Sequence, residues 1–147
     1  NYTFHVKARD EAGNEDITPA TRSFSVNPTI LVANFMNGNT DAFNSRIYLW
    51  NSSASAGNVT VRVFTLPVLA GAAQELTVTP ISLGVLGAKS ALNLKLAEDI
   101  LIPLGISLPY TNDGGNLTLE FTIGTEKVWG VAQVFSGDFA FGTYPLQ

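Results

Sequence analysis

Cysteine is absent from the 147 residues, which excludes a disulfide framework and thiolate chemistry. Histidine occurs once, as His5, inside an alternating segment and on its less apolar side. That placement suits a surface strand residue and speaks against a multi-histidine metal site or a Ser-His-Asp triad. Charge is thin as well: Asp, Glu, Lys and Arg make up 14% of the chain, far below the customary share, and the net charge is −4. Lys and Arg are scattered singly, so no basic stripe gathers phosphates and nucleic-acid binding has no support. No glycine-rich loop links a strand to a helix as a nucleotide site needs. The longest apolar region, Ile81 to Tyr110, is interrupted by Lys89, Lys95, Glu98 and Asp99, so no membrane span is expected, and no secretory leader pattern is visible.

What is present is alternation. The chain is 46% hydrophobic and long enough for one domain, or one domain plus a fragment. Val59, Val61 and Val63 alternate with Thr60 and Arg62, and Leu117, Leu119, Phe121 and Ile123 alternate with polar residues, a period of two. Arg46–Trp50 and Val59–Phe64 are expected to form a hairpin across a small polar loop, with Ile47 and Leu49 facing the core and Tyr48 and Trp50 facing away. Thr29–Phe35, Glu75–Val78, Ile81–Val85, Ser90–Leu96, Lys127–Phe135 and Phe139–Tyr144 supply further strands. Asn112-Asp113-Gly114-Gly115 signals a turn. Ala97–Leu101 suits one or two helical turns before Pro103 and Gly105, placed as a lid over one end of the sheets. An all-β sandwich follows.

At the start, Tyr2, Phe4, Val6 and Ala8 alternate, Asp10-Glu11-Ala12-Gly13-Asn14 makes a turn, and Phe24 and Val26 alternate on the return. This stretch resembles the last two strands of a bacterial immunoglobulin-like or fibronectin type III repeat, with Tyr2 where that family's penultimate strand carries its tyrosine. The resemblance implies an immunoglobulin-like antiparallel β-sandwich with at most one short helix. The earlier strands of such a repeat are not in this sequence. Asn27-Pro28 ends the segment, dividing residues 1–28, an orphan hairpin or donor segment, from a β-sandwich domain over 29–147. A two-stranded ribbon with one apolar face is not stable alone. Its face needs cover from the rest of this chain, from an upstream portion, or from another subunit. From Thr29 onward, NSRIYLWN, GNVTVRVFTLP, GGNLTLEFTI and the closing FAFGTYPLQ resemble an uncharacterised C-terminal module of secreted bacterial proteins. That implies an extracellular or cell-surface setting and brings no catalytic motif.

Chemistry-bearing residues are few, and no catalytic residue is assigned. Glu120 and Glu126 are the only carboxylates worth nominating as a glycosidase pair, and solvation of a sheet face is the plainer reading. Asp10, Glu11, Asn14 and Asp16, with Glu15, form an oxygen-rich turn of the kind that holds structural calcium, although the spacing is not that of an EF-hand. No other cofactor is expected. Tyr48, Trp50 and Trp129 are candidates for an aromatic surface that stacks on glycans; aromatic strand residues more often cover a neighbouring element. Sequons at Asn1, Asn51, Asn58 and Asn116 carry no weight in a bacterial protein.

The leading expectation is a non-catalytic subunit of an extracellular fibre or surface array. Copies would join head to tail by strand complementation through Tyr2, Phe4, Val6, Phe24 and Val26. The alternative is a monomeric adhesin-like or carbohydrate-binding module at the end of a larger secreted protein, with surface glycans as partners.

Overall fold

A computed structural model describes residues 2–24, 27–37, 44–65, 72–107, 116–136 and 139–147. Val26, the turn 112–115 and the side chains of Tyr2 and Phe24 fall outside that description. The fold is all-β: the described residues form ten strands, antiparallel throughout, and one short helical element. β1 (Tyr2–Val6) and β2 (Ala20–Phe24) form the ribbon, in the register Tyr2↔Phe24, Phe4↔Arg22 and Val6↔Ala20. The remaining strands are β3 (Thr29–Asn37), β4 (Asn44–Asn51), β5 (Gly57–Thr65), β6 (Ile81–Leu86), β7 (Ala91–Lys95), β8 (Asn116–Ile123), β9 (Val128–Ser136) and β10 (Phe139–Pro145). They build two four-stranded sheets, ordered β10-β9-β4-β7 and β3-β8-β5-β6.

Alternation decides the core. Along β8 and β5 every second residue is buried, so Leu117, Leu119, Phe121 and Ile123 join Val59, Val61 and Val63 on one inner face. Ile47, Leu49, Leu94 and Ala132 answer from the opposite sheet. Burying each large side chain is worth roughly 1.5–3 kcal/mol, and these inner rows are the main source of cohesion between the sheets.

The expected β4–β5 hairpin is corrected by the structure. The two strands lie in different sheets and do not pair; residues 52–56 carry the chain from one sheet to the other. Both strands have an apolar inner face, and a crossing lets those faces meet across the core, whereas a hairpin would set them side by side. Buried Asn51 fixes the crossing: its Nδ2 donates to the carbonyls of Ser55 (2.7 Å) and Gly87 (2.9 Å), and its Oδ1 accepts from the Ser53 amide (2.9 Å). Glu75–Val78 is a second correction. It forms no strand, only an isolated bridge from Glu75 to Phe64, with Leu76 N–H donating to Val63.

The helical element is a single π-helical turn, Leu96–Leu101, with Leu96, Ala97, Ile100 and Leu101 buried. It follows Lys95, which pairs with Arg46 at the start of β4, so it plugs the end of the sandwich away from the 52–56 crossing. Asp99 accepts from the Lys95 amide (2.7 Å) and holds the entry to the turn. The chain's last residues join the sheets at one side: Leu146 N–H donates to Gly130 in one sheet, and Gln147 exchanges two backbone hydrogen bonds with Val32 in the other.

Candidate functional site

The outer face of the β10-β9-β4-β7 sheet carries the three aromatic candidates. Tyr48 and Trp50 are two residues apart on β4 and share a side, while Trp129 on β9 stands directly opposite Trp50. The indole centroids are 6.5 Å apart with planes at 47°. Trp50 is 37% exposed and Trp129 57%, so both rings keep faces open to solvent. Tyr48, paired with Val131 on one side and Asn93 on the other, continues the row. Farther along, the Arg46 guanidinium lies 4.8 Å from the Phe135 ring centroid, and Arg46 Nε is buried without a hydrogen-bond partner. Sequence alone does not place the tryptophans together, because they come from strands about eighty residues apart (the separation reads directly from their numbers).

Beside this row, at the crossing end, three loops enclose an open cleft of about 560 Å³. Its walls are residues 52–56, Lys89 between β6 and β7, and residues 124–127 between β8 and β9. A hydroxyl network sets the floor: Ser53 Oγ lies 3.0 Å from Thr125 Oγ1 and donates to the Ser55 carbonyl (2.7 Å). Ser52 ties two loops together, its N–H and Oγ donating to the Lys127 carbonyl while its own carbonyl accepts from Lys89 Nζ. The backbones come so close at Gly57 that an added Cβ would stand 2.8 Å from Gly124 C and Thr125 N. Only glycine fits there. Lys89 (φ 53°) and Lys127 (φ 58°) are the non-glycine residues with left-handed backbone among the described residues, and both line this cleft. The cleft escapes sequence reading, since its serines look like ordinary loop filler and nothing in the local pattern announces a positive φ at a lysine.

Elsewhere the nominated groups are dispersed. Glu120 sits on the outer face of the other sheet, bound to Arg62 (3.4 Å), whose fork also grips Glu75 (2.8 and 2.5 Å). Glu126 lies in the cleft wall instead, so the two do not form a facing pair. The hydrogen bonds from Arg62, then from Thr77, hold the Glu75 carboxyl below its ordinary range, and the Glu75 contact raises Arg62. In the ribbon turn both Asp10 oxygens accept from Asn14, side-chain amide and backbone N–H, which keeps its carboxyl low. Asp16 accepts from Thr18, Glu15 pairs with Lys7, and Glu11 is exposed. Among the described residues no three His, Cys, Asp or Glu side chains converge as metal ligands would. His5 lies 3.4 Å from Thr21 Oγ1 on the exposed ribbon. Asn51 is buried, so its sequon is out of reach in the folded chain, and no described helix is long and apolar enough to cross a membrane.

Two apolar residues of the ribbon are largely exposed to solvent. Phe4 is 61% exposed and Val6 65%. Searches against protein-family models, curated proteins and solved structures gave no match to this chain.

Proposed function

We propose that the chain is a non-catalytic extracellular module that works by binding, and that the Tyr48, Trp50 and Trp129 face takes carbohydrate. The observation that supports this most is the exposed Trp50–Trp129 pair on a regular sheet face. A pyranose ring presents axial C–H groups with partial positive charge, and an indole face carries the complementary negative quadrupole. Neighbouring strands of one sheet give such rings a fixed spacing. Asn93 and Gln133, on the same outer side, offer amides to sugar hydroxyls. The test is a tryptophan-fluorescence titration with soluble polysaccharides, comparing the wild type with W50A/W129A. Saturable binding that the double variant loses, with an unchanged circular dichroism spectrum, is the expected result. No response to any polysaccharide, or equal binding by both proteins, refutes it.

A second reading rests on Phe4 and Val6. Their exposure leaves an apolar ribbon face that sequence reasoning assigns to an immunoglobulin-like repeat, and a second copy covering it would give the head-to-tail fibre. Sedimentation of wild type against F4D/V6D separates the two readings. Concentration-dependent assembly that the substitutions abolish favours the fibre; a monomer at all concentrations removes it.

A further inference from the structure

The cleft lies next to the tryptophan pair along both strands. Past the end of β4 the cleft begins at Ser52, two residues beyond Trp50; ahead of β9 it ends at Lys127, two residues before Trp129. A chain of sugars stacked on the indoles has these loops within reach of its next units.

Resting on the carbohydrate reading above, we propose that this cleft is an anion subsite, built by Lys89 and Lys127 for the carboxylate of an acidic sugar. Four observations carry it. First, the chain is net acidic, with eight basic residues against twelve acidic, yet two of the eight converge on one small cleft. Second, both lysines hold a left-handed backbone that glycine or asparagine adopts at less cost, and strained non-glycine positions gather at binding sites. Third, their loops are pinned to Ser52, through the Lys89 ammonium and the Lys127 carbonyl, so the charges are presented by an ordered frame. The ammonium of Lys89 gives one of its three donors to Ser52 and keeps two for a ligand. Fourth, Ser52, Ser53, Ser55 and Thr125 bring four hydroxyls to a lining that also includes Ala54, Ala56 and Gly124, and hydroxyl oxygens can accept from sugar hydroxyls. Glu126 also lines the cleft and leaves a net single positive charge there. One carboxylate per site matches that balance.

The probes are alginate, polygalacturonate and hyaluronan as acidic polymers, with mannan, galactan and fully methyl-esterified polygalacturonate as uncharged ones, read by affinity electrophoresis. The variants are W50A/W129A and K89N/K127N, asparagine being chosen because it tolerates the left-handed backbone. At least one acidic polymer is expected to bind tenfold or more tighter than every neutral one. K89N/K127N should weaken that binding at least fivefold with an unchanged circular dichroism spectrum, while neutral binding stays as it was. Equal affinity for acidic and neutral polymers, or full acidic binding by K89N/K127N, overturns the subsite and leaves the aromatic platform standing. Failure of every polymer to bind the wild type overturns both.

Discussion

Replacing Asn51 tests whether one buried amide holds the sandwich crossing and the cleft together. The side chain is fully buried and satisfies three backbone groups on two loops. In N51A the carbonyls of Ser55 and Gly87 keep second donors, Ser53 Oγ and Ser90 Oγ, each at 2.7 Å. Each loses a net contribution of about 1 kcal/mol. The buried Ser53 amide loses its acceptor, which costs about 1–3 kcal/mol. The sum is a loss of about 3–5 kcal/mol, read by urea denaturation followed through tryptophan fluorescence. N51D sharpens the test. An oxygen replaces Nδ2 and faces two carbonyl oxygens at 2.7 and 2.9 Å, so the acid keeps its proton in the fold. A folded-state pKa raised above the unfolded value of about 3.9 makes N51D closest to wild type below pH ~4. Its deficit then grows as pH rises through the folded pKa. N51A within about 1 kcal/mol of wild type, or an N51D deficit that is flat from pH 3.5 to 7, refutes the reasoning.

Two further predictions concern stability. Phe121 is the largest of the fully buried side chains, so F121A should cost about 3–5 kcal/mol in the same urea assay, and a loss below about 1 kcal/mol would mean that the inner faces are not packed as described. Glu75 is held below its ordinary pKa by Arg62 and Thr77, so its contribution is present above the unfolded glutamate value and is lost as pH falls through the lowered folded one. The acid limb of the stability profile should therefore flatten in R62Q, and a profile unchanged by that substitution would dismiss the pair.

The strands were legible wherever one face is buried. Val59 to Val63 and Leu117 to Ile123 keep strict alternation because a one-residue slip would expose every apolar side chain at once. The short helical turn was legible from its ends, with Glu98 and Asp99 in the first turn and Pro103 and Gly105 beyond the last, and the structure starts it one residue earlier, at Leu96. Pairing was harder to read. The Asn51 loop resembles any hairpin connection, and what makes it a crossing is a bond to Gly87, thirty-six residues away. Glu75–Val78 has the composition of a strand, yet its residues serve as a cover: Thr65 N–H donates to Gln74, Leu76 N–H donates to Val63, and Glu75 is taken up by Arg62. The aromatic row was half legible. Tyr48 and Trp50 share a face by periodicity alone, but Trp129 joins them only through the β4–β9 register.

The edges of the sheets bear on how this molecule meets others. Strand addition needs a straight free edge, and in the two four-stranded sheets three of the four edge strands carry a bulge: β3 between Ala33 and Met36, β6 opposite Val59 and Thr60, and β10 between Ala140 and Gly142. At Val32 the backbone groups of β3 are already taken by Gln147, and β7 is only five residues long. The inner rows are equally closed, with Val59 through Val63 and Leu117 through Ile123 buried, so no vacant groove lies between the described strands for a donor to fill. A fibre built from this chain would therefore join through the ribbon's exposed Phe4 and Val6, while a partner of the sandwich would have to meet it side chain first. Its open aromatic face and lysine-lined cleft suit that second mode, which is why binding rather than strand exchange leads the functional reading.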